Sequence, residues 1–387
     1  MAEQENAKQA IAQQRVKVLV DCHTFDGEYQ GTRTFITEVY SRLALTHDID
    51  FYFAAYDVSK LQQVFAGPNI HFIRYKSRSS IWRLLFELPA VIRTYHIDIA
   101  HFQYITPLLK NCRFIVTVHD VLFLDYPAEF SGWYRRYKRF LYRSGARRAD
   151  VLTVNSEDTR KAVARYLDAG GKPVYLTPMA ASPVFFEQYN KAEVRAQFAK
   201  QYGFSRFILC VSRMEPRKNH VLLLRAWLDL ALYQQDIHLV LLGHRSIDIP
   251  EFDGLLAQQP DEVKALVMIN DSVDPDELLL FYRAASVFVY LSKAEGFGIP
   301  PLEAAAAGVR VICSNTSAMA AYDFFGKGHI DPNDYPAFRS VLKEMLNNPQ
   351  DETLLQAISS TVMERYSWDR SVNVFRNLFA VYSQGNR

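Results

Sequence analysis

Val287-Phe288-Val289-Tyr290-Leu291, then Glu295-Gly296-Phe297-Gly298-Ile299-Pro300-Pro301-Leu302-Glu303, then Val309-Arg310-Val311-Ile312-Cys313: this stretch decides how the chain is read. An apolar run of strand length ends in a turn with two glycines. A helical run over 301–307 follows, and Gly308 is placed to end it in a left-handed conformation. A second apolar run then closes a strand–helix–strand unit. Strands with no polar alternation predict a parallel sheet covered by helices on both faces.

Working outward, the same rhythm runs through the whole chain. Strands are expected at 16–21, 50–55, 97–103, 114–119, 151–155 and 174–177, with helices at 32–45, 131–148 and 157–167. The pattern restarts with strands at 207–211, 238–242, 267–270, 287–291 and 309–313. Helices are expected there at 219–233, 276–285 and 301–307. Asp274-Pro275-Asp276-Glu277 supplies a capping Asp, a Pro for the first helical position and a Glu in the first turn. The polar stretch 183–202 separates the two sets, so the hinge is placed near 181–188. The expected organisation is an arm without regular structure over 1–14, an α/β domain over 15–182, a second over 183–367, and a terminal helix over 368–387. Two such domains facing each other would leave a cleft at the carboxyl ends of their strands, where open α/β sheets bind ligands.

The bulk properties exclude several classes. With 49% hydrophobic and 22% charged residues and a formal charge of only +2, the chain is an ordinary globular protein with no overall attraction for nucleic acid. Cys22, Cys112, Cys210 and Cys313 are scattered, which suggests neither a zinc site nor a disulfide framework. Residues 1–14 lack the apolar core of a signal peptide, and no apolar run reaches membrane-spanning length. A cytoplasmic protein is expected, peripheral to a membrane at most. No internal repeat of solenoid length occurs.

The turn 295–303 carries chemistry. Gly296 and Gly298 allow the backbone to approach a ligand, and Phe297 and Ile299 complete the turn around them. The unpaired N–H groups of the helix that follows favour an anion such as a diphosphate. Glu303, expected in the first turn, can accept hydrogen bonds from a ribose diol, and Glu295 can reach sugar hydroxyls beyond it. With two Glu eight apart around Gly-Phe-Gly-Ile-Pro, the chain resembles the family 4 retaining glycosyltransferases of the GT-B fold. The resemblance implies that Glu303 holds the nucleotide ribose and that Glu295 contacts the donor sugar and helps organise the reaction.

The second motif is Ser212-Arg213-Met214-Glu215-Pro216-Arg217-Lys218-Asn219-His220. It follows the first strand of the second set, with Asn219 a candidate helix cap. Arg213 and Lys218 can converge on one anion, the fork of the one complementing the point charge of the other. The resemblance implies that they neutralise a departing diphosphate. Arg217 has no counterpart in that scheme and is expected to face solvent.

In the first half, Gln30-Gly31-Thr32-Arg33 follows the first strand, where the family has a glycine-rich loop near the donor phosphate; Gly31 is its candidate here. Thr117-Val118-His119-Asp120 ends a strand, and His119 is a candidate donor to a sugar hydroxyl. Together with Phe123-Leu124-Asp125-Tyr126-Pro127 it resembles a bacterial subgroup of mannosyltransferases of surface polysaccharides. His101, and Asn155 with Ser156, also end strands and are weaker candidates, with core roles as the alternative. The helix over 133–148 holds Arg135, Arg136, Lys138, Arg139, Arg143, Arg147 and Arg148 with no acid. Tyr134, Tyr137 and Leu141 are expected on one face, a pattern equally suited to anionic lipid or to solvent.

The implied reaction moves a hexose, foremost mannose from GDP-mannose, from a nucleotide-sugar donor to a glycan or lipid-linked glycan, with retention and with no cofactor or metal. Three departures from the family stand out. The first-strand loop keeps only Gly31; the loop 314–319 is followed by Ala320-Ala321 in place of Pro-Glu; and Pro178-Met179-Ala180 lacks the usual Asn-Gly. The alternatives are a transferase using a UDP-sugar, a non-catalytic glycan-binding scaffold of the same fold, and a GT-B epimerase or phosphorylase. A dinucleotide-dependent dehydrogenase is disfavoured, because no Gly-x-Gly-x-x-Gly follows the first strand.

Overall fold

A computed structural model describes residues 15–27, 31–46, 48–127, 130–245, 247–348 and 351–384. The expected arm over 1–14 and Gln30 of the first-strand loop lie outside them. The chain forms two compact units, one of Met1–Met179 with Trp368–Arg387 and one of Ala180–Ser367.

The first unit is built on a seven-stranded sheet: β1 (Val16–Asp21), β2 (Ile49–Ala55), β3 (Ile70–Arg74), β4 (Ile99–Gln103), β5 (Arg113–Val118), β6 (Val151–Val154) and β7 (Val174–Leu176). Their order is β3-β2-β1-β4-β5-β6-β7, and every pairing is parallel. Because both faces are covered, the central strands are apolar without alternation, and Val18, Leu19 and Val20 are all fully buried. On one face Leu19, Tyr52 and Phe102 pack with Leu88, Tyr142 and Val163 from three crossover helices. On the other, the helices Gly31–Leu43 and Trp368–Gln384 meet over the sheet. Phe35 there lies 6.3 Å from Trp368 and 6.0 Å from Phe375, and Phe51 lies 6.3 Å from Phe379. The last helix therefore returns to the first unit.

The second unit has six strands: β8 (Phe207–Val211), β9 (His238–Leu242), β10 (Val267–Asn270), β11 (Val287–Tyr290), β12 (Val311–Ser314) and β13 (His329–Ile330), in the order β10-β9-β8-β11-β12-β13. These pairings are parallel too. Trp227 is fully buried in the core of this unit, and its Nε1 donates to the Ile237 carbonyl at 2.7 Å.

The periodicity passes over β3 and β13, both edge strands: β3 is half exposed along its length and β13 is two residues long. It also treats 183–202 as a polar connection, whereas Lys191–Tyr202 is a helix. The Asn190 side chain caps it by accepting from the Ala192 and Glu193 N–H groups, and Gly203 ends it at φ 82°. Two expected caps differ. Asn219 has φ 64° and donates its side-chain amide to the Pro332 carbonyl, and the Asp274 carboxylate makes no capping bond. Gly308 does take the left-handed conformation, with φ 67°.

Each sheet has one place where the connections reverse direction, between β1 and β4 and between β8 and β11. There neighbouring loops leave the carboxyl ends in opposite directions and open a crevice. Beside the second crevice, Gly243 has φ +139°, and a Cβ built on it would lie 2.3 Å from the Ser212 carbonyl oxygen. Gly243→Ala should therefore push the loop that follows β8 out of place. We expect a loss of about 2 kcal/mol or more in urea unfolding.

Candidate functional site

The loop after β8 (residues 212–218) and the loop after β11 (residues 291–298) leave adjacent strands, registered through Ile208 and Val287. They are tied by backbone, since the Lys293 N–H donates to the Arg217 carbonyl at 2.8 Å. Between them lies an ionic chain. Arg213 meets Glu215 at 3.1 Å, and Glu215 meets Arg217 at 2.9 Å. Arg217 meets Glu295 at 3.0 Å, and Lys218 donates to the same Glu295 oxygen. The Tyr290 hydroxyl accepts from Lys218 at 2.8 Å and donates to Glu295 at 3.0 Å.

The side chains of Lys218, Arg217, Glu215 and Glu295 are only 9, 14, 11 and 11% exposed, whereas that of Arg213 is 38% exposed. Burial alone would raise the Glu295 carboxyl. Lys218 and Arg217 more than reverse this and bring it to about 2. Burial presses the Lys218 ammonium down from its ordinary value more than Glu295 lifts it. Glu295 is therefore ionised at neutral pH.

One expectation is corrected here. Arg217 faces inward and clamps Glu295, because a buried carboxylate with two acceptor oxygens needs more than one donor. Arg213 pairs with Glu215 at the exposed end of the chain, and Lys218 pairs with Glu295 at its buried end.

The turn itself is held from behind. Gly298 has φ +90°, and a Cβ there would lie 3.0 Å from Met319 Cγ, so glycine is required. The Tyr322 hydroxyl donates to the carbonyls of Phe297 and Gly298 at 2.8 and 3.1 Å. The Glu295 N–H donates to Ser317 Oγ at 2.9 Å. The loop 314–319, lacking the family's Pro-Glu, thus still braces the acidic turn. The helix after it spans Ile299–Ala306, so it begins two residues earlier than expected and Glu303 falls in its second turn. There Glu303 Oε2 accepts from the Tyr282 hydroxyl at 2.8 Å. Gly298 is the residue before the first helical turn, and the two prolines that follow Ile299 bring no N–H of their own.

In the first unit, His119 is 5% exposed at the end of β5. Its Nε2 donates to Gln103 Oε1 at 2.7 Å, and Nδ1 is buried without a hydrogen-bond partner. Burial lowers its pKa to about 3, so the ring is neutral. The nitrogen left over is an acceptor, so His119 is set to accept a hydrogen bond from a hydroxyl rather than donate one, contrary to expectation. His101 is fully buried, bonded to the Tyr40 hydroxyl at 2.7 Å and to Thr117 Oγ1 at 2.6 Å; it is a core residue. Ser156 caps the helix Glu157–Tyr166, and Asn155 accepts from Thr159 at 3.2 Å; both serve the fold. A Cβ on Gly31 would sit 3.6 Å from Met179 Cε, an ordinary contact, so local geometry does not demand glycine there.

Sequence reasoning passed over Asp21, which ends β1 at the first crevice. It is 1% exposed and binds His23 Nδ1 at 3.1 Å, the Tyr75 hydroxyl at 3.0 Å and Arg83 Nε at 3.6 Å. Burial opposes ionisation, yet Arg83 and His23 hold the carboxyl well below the usual carboxylate range. The missed signal was a titratable residue closing an apolar strand, the same one that marked His119.

Residues 29–180 match the family described as Glycosyltransferase Family 4, and residues 193–360 match Glycosyl transferases group 1. The chain belongs to these glycosyltransferases. Over 373 residues, 90% of this chain and 96% of the other, it is 23% identical to the O-antigen chain mannosyltransferase B of Escherichia coli. It is 25% identical to the O-antigen chain mannosyltransferase RfbU of Salmonella typhimurium, covering 71% of this chain and 70% of that one. Among solved structures, sucrose-phosphate synthase from Thermosynechococcus elongatus superposes with a TM-score of 0.77 at 19% identity, over 95% of this chain and 100% of that one. The fold is GT-B.

In this glycosyltransferase the basic helix spans Gly132–Arg148. Tyr134 packs toward Phe130 and Phe123, and Leu141 joins the core, so the expected stripe is split. The outward aromatic row is instead Trp133, Tyr137 and Phe140, 69, 43 and 70% exposed. Arg143 and Arg147 bond Asp168 at 2.9 and 2.7 Å. Among the described residues no helix is long and apolar enough to cross a membrane.

The Glu295 carboxyl lies below its ordinary value of 4.5. Its stabilising contribution is complete above that pH and is lost as pH falls toward the folded value of about 2. Glu295→Gln, which strands two buried cations, should cost roughly 3 kcal/mol at pH 7. In urea unfolding over a pH series, the gap to wild type should narrow between pH 4.5 and 2.

Proposed function

We propose that the protein transfers mannose from GDP-mannose to a glycan or lipid-linked glycan acceptor in surface-polysaccharide synthesis, with retention at the anomeric carbon. The observation that carries this reading is the convergence of Lys218, Arg217 and Glu295 at the carboxyl ends of β8 and β11, with Arg213 linked to them through Glu215. Two O-antigen chain mannosyltransferases among the relatives support the sugar and the acceptor class.

In this reading the donor diphosphate lies at the N-terminal end of the helix Ile299–Ala306 and is met by the exposed Arg213. Lys218, held nearby by Glu295, adds positive charge that is already in place when the leaving group forms. Glu303, steadied through one oxygen by Tyr282, receives the ribose hydroxyls. Glu295 orients the sugar, and in the first unit the Nδ1 of His119 is an acceptor for a hydroxyl. Same-face attack then lets the departing phosphate take the acceptor proton. Arg213 and Lys218 supply the charge that a divalent ion would otherwise provide, so activity should survive EDTA.

Calorimetry tests the donor site. GDP, UDP, ADP and dTDP, with their sugar conjugates, are titrated into wild type and into Glu303→Ala and Arg213→Ala/Lys218→Ala variants. Micromolar binding of GDP-mannose, weakened at least tenfold in the variants, is expected. Selective UDP binding would replace the mannosyl donor with a UDP-sugar, and no binding by any nucleotide to folded protein would overturn the transferase reading. NMR of the product anomer checks retention.

We further propose that Trp133, Tyr137 and Phe140, with the arginines around them, rest on anionic lipid headgroups. Flotation with phosphatidylglycerol liposomes should be lost in Arg135→Glu/Arg136→Glu/Arg139→Glu, and unchanged flotation would sink this contact.

A further inference from the structure

Asp21 is a carboxylate closing an apolar strand, 1% exposed, with Val18, Leu19 and Val20 fully buried before it. Its Oδ1 accepts from the Tyr75 hydroxyl at 3.0 Å and from the His23 backbone N–H at 3.3 Å. Its Oδ2 lies 3.1 Å from His23 Nδ1 and 3.6 Å from Arg83 Nε. Arg83 opens a wide π turn, Arg83–Glu87, within the helical run 80–94, and such turns gather at functional sites. At the other end of that turn Glu87 accepts from the Lys76 N–H at 2.7 Å, which ties it to the loop after β3.

Arg83 supplies the counter-charge to this carboxylate and Tyr75 a hydrogen bond, and the Arg83 side chain is 12% exposed. His23 is the partner that reaches outward, with its side chain 30% exposed. In the neutral ring the carboxylate holds the proton on Nδ1, which makes Nε2 the acceptor. Among the described residues no group bonds to that Nε2, and Asp21 takes up the Nδ1 side. The turn that carries the ring is pinned on both sides. The Cys22 N–H donates to the Ala54 carbonyl at 2.8 Å, and the Asp26 carboxylate accepts from the Tyr56 and Asp57 N–H groups at 3.0 and 2.8 Å. Phe25 between them is fully buried. The imidazole is therefore held in place before any ligand arrives.

Asp21 stands where the connections of the first sheet reverse, between β1 and β4, at the end where open α/β sheets bind ligands. His119 closes β5 at the same end of that sheet, and its Nδ1 is buried without a hydrogen-bond partner. Two ring nitrogens set to accept suit a ligand whose groups donate, as sugar hydroxyls do. The geometry points to the Asp21–His23 pair as a subsite for the acceptor glycan: His23 Nε2 accepts from one of its hydroxyls, and Asp21 is the positioning residue that fixes the ring. This rests on the transferase reading above, which makes the acceptor a glycan.

The test titrates methyl α-D-mannopyranoside, methyl α-D-glucopyranoside and methyl N-acetyl-β-D-glucosaminide into the full chain, followed by saturation-transfer NMR. At least one should bind wild type, and bind Lys218→Ala/Glu303→Ala, which lacks the donor site, within twofold as tightly. His23→Ala should weaken that glycoside at least tenfold. His23→Gln, which returns an acceptor oxygen near the place of Nε2, should recover part of the loss, and His71→Ala, on the edge strand β3, should stay within twofold. GDP-mannose binding by calorimetry should stay within twofold in His23→Ala. The His23 Cε1 proton, assigned by its absence from His23→Ala, should shift as glycoside is added. In Asp21→Asn the same shift should need several-fold more glycoside, and if that variant does not fold, the His23 variants carry the test. No glycoside bound by wild type, binding unmoved by His23→Ala, or binding that leaves the Cε1 proton in place would overturn the inference. A glycoside bound through His23 with no nucleotide bound anywhere would uphold the subsite and overturn the transferase reading, so the two fail separately.

Discussion

A carboxylate taken out of water must find compensating charge and hydrogen bonds, and Glu295 sets that requirement for the second unit. Lys218, Arg217 and Tyr290 converge on it, and Ser317 fixes its backbone. These partners come from three separate strand-end segments, so meeting the requirement pins the loops after β8, β11 and β12 to one another. Desolvation and Coulomb attraction are both large here and oppose each other, with attraction the stronger. What remains is geometric: the loops have one arrangement in which no charge is stranded. That arrangement leaves Arg213 at the rim, where a ligand can reach it.

The sheets place these loops where they can act. In each unit the chain winds one way from the first strand and then the other, which opens a crevice beside β1 in the first unit and beside β8 in the second. Polar residues collect at those strand ends, among them Asp21, Gln103 and His119 in one sheet and Lys218 and Glu295 in the other. Strand interiors are covered on both faces and tolerate few polar groups. The glycosyltransferase chemistry therefore has to be built from residues at or just beyond strand ends.

Much of this was legible beforehand. The central strands show up as unbroken apolar runs, and the twin glycines between two glutamates mark the turn that carries Gly298 at φ +90°. The edge strands β3 and β13 were not legible, because an edge buries less and its residues look like a loop. The start of the helix at Ile299 was also missed. The paired prolines suggest a start at 301, but the left-handed Gly298 begins the helical turn earlier and moves Glu303 into the second turn. His101 and His119 look alike in sequence, each closing a strand. Only packing separates them: Tyr40 and Thr117 satisfy both nitrogens of His101, while Gln103 satisfies one nitrogen of His119.

The sequence by itself determined the class of fold, the two-unit organisation and which short motifs carry charge, since these follow from local periodicity and from spacing within a single loop. Tertiary structure alone decided how the charges pair. Arg217 reads as a solvated residue among other basic residues until the strand order brings β11 beside β8 and puts Glu295 within 3.0 Å of it. Electrostatic energy depends on distance in space and on exclusion of water, and neither quantity is written in the order of residues along a chain.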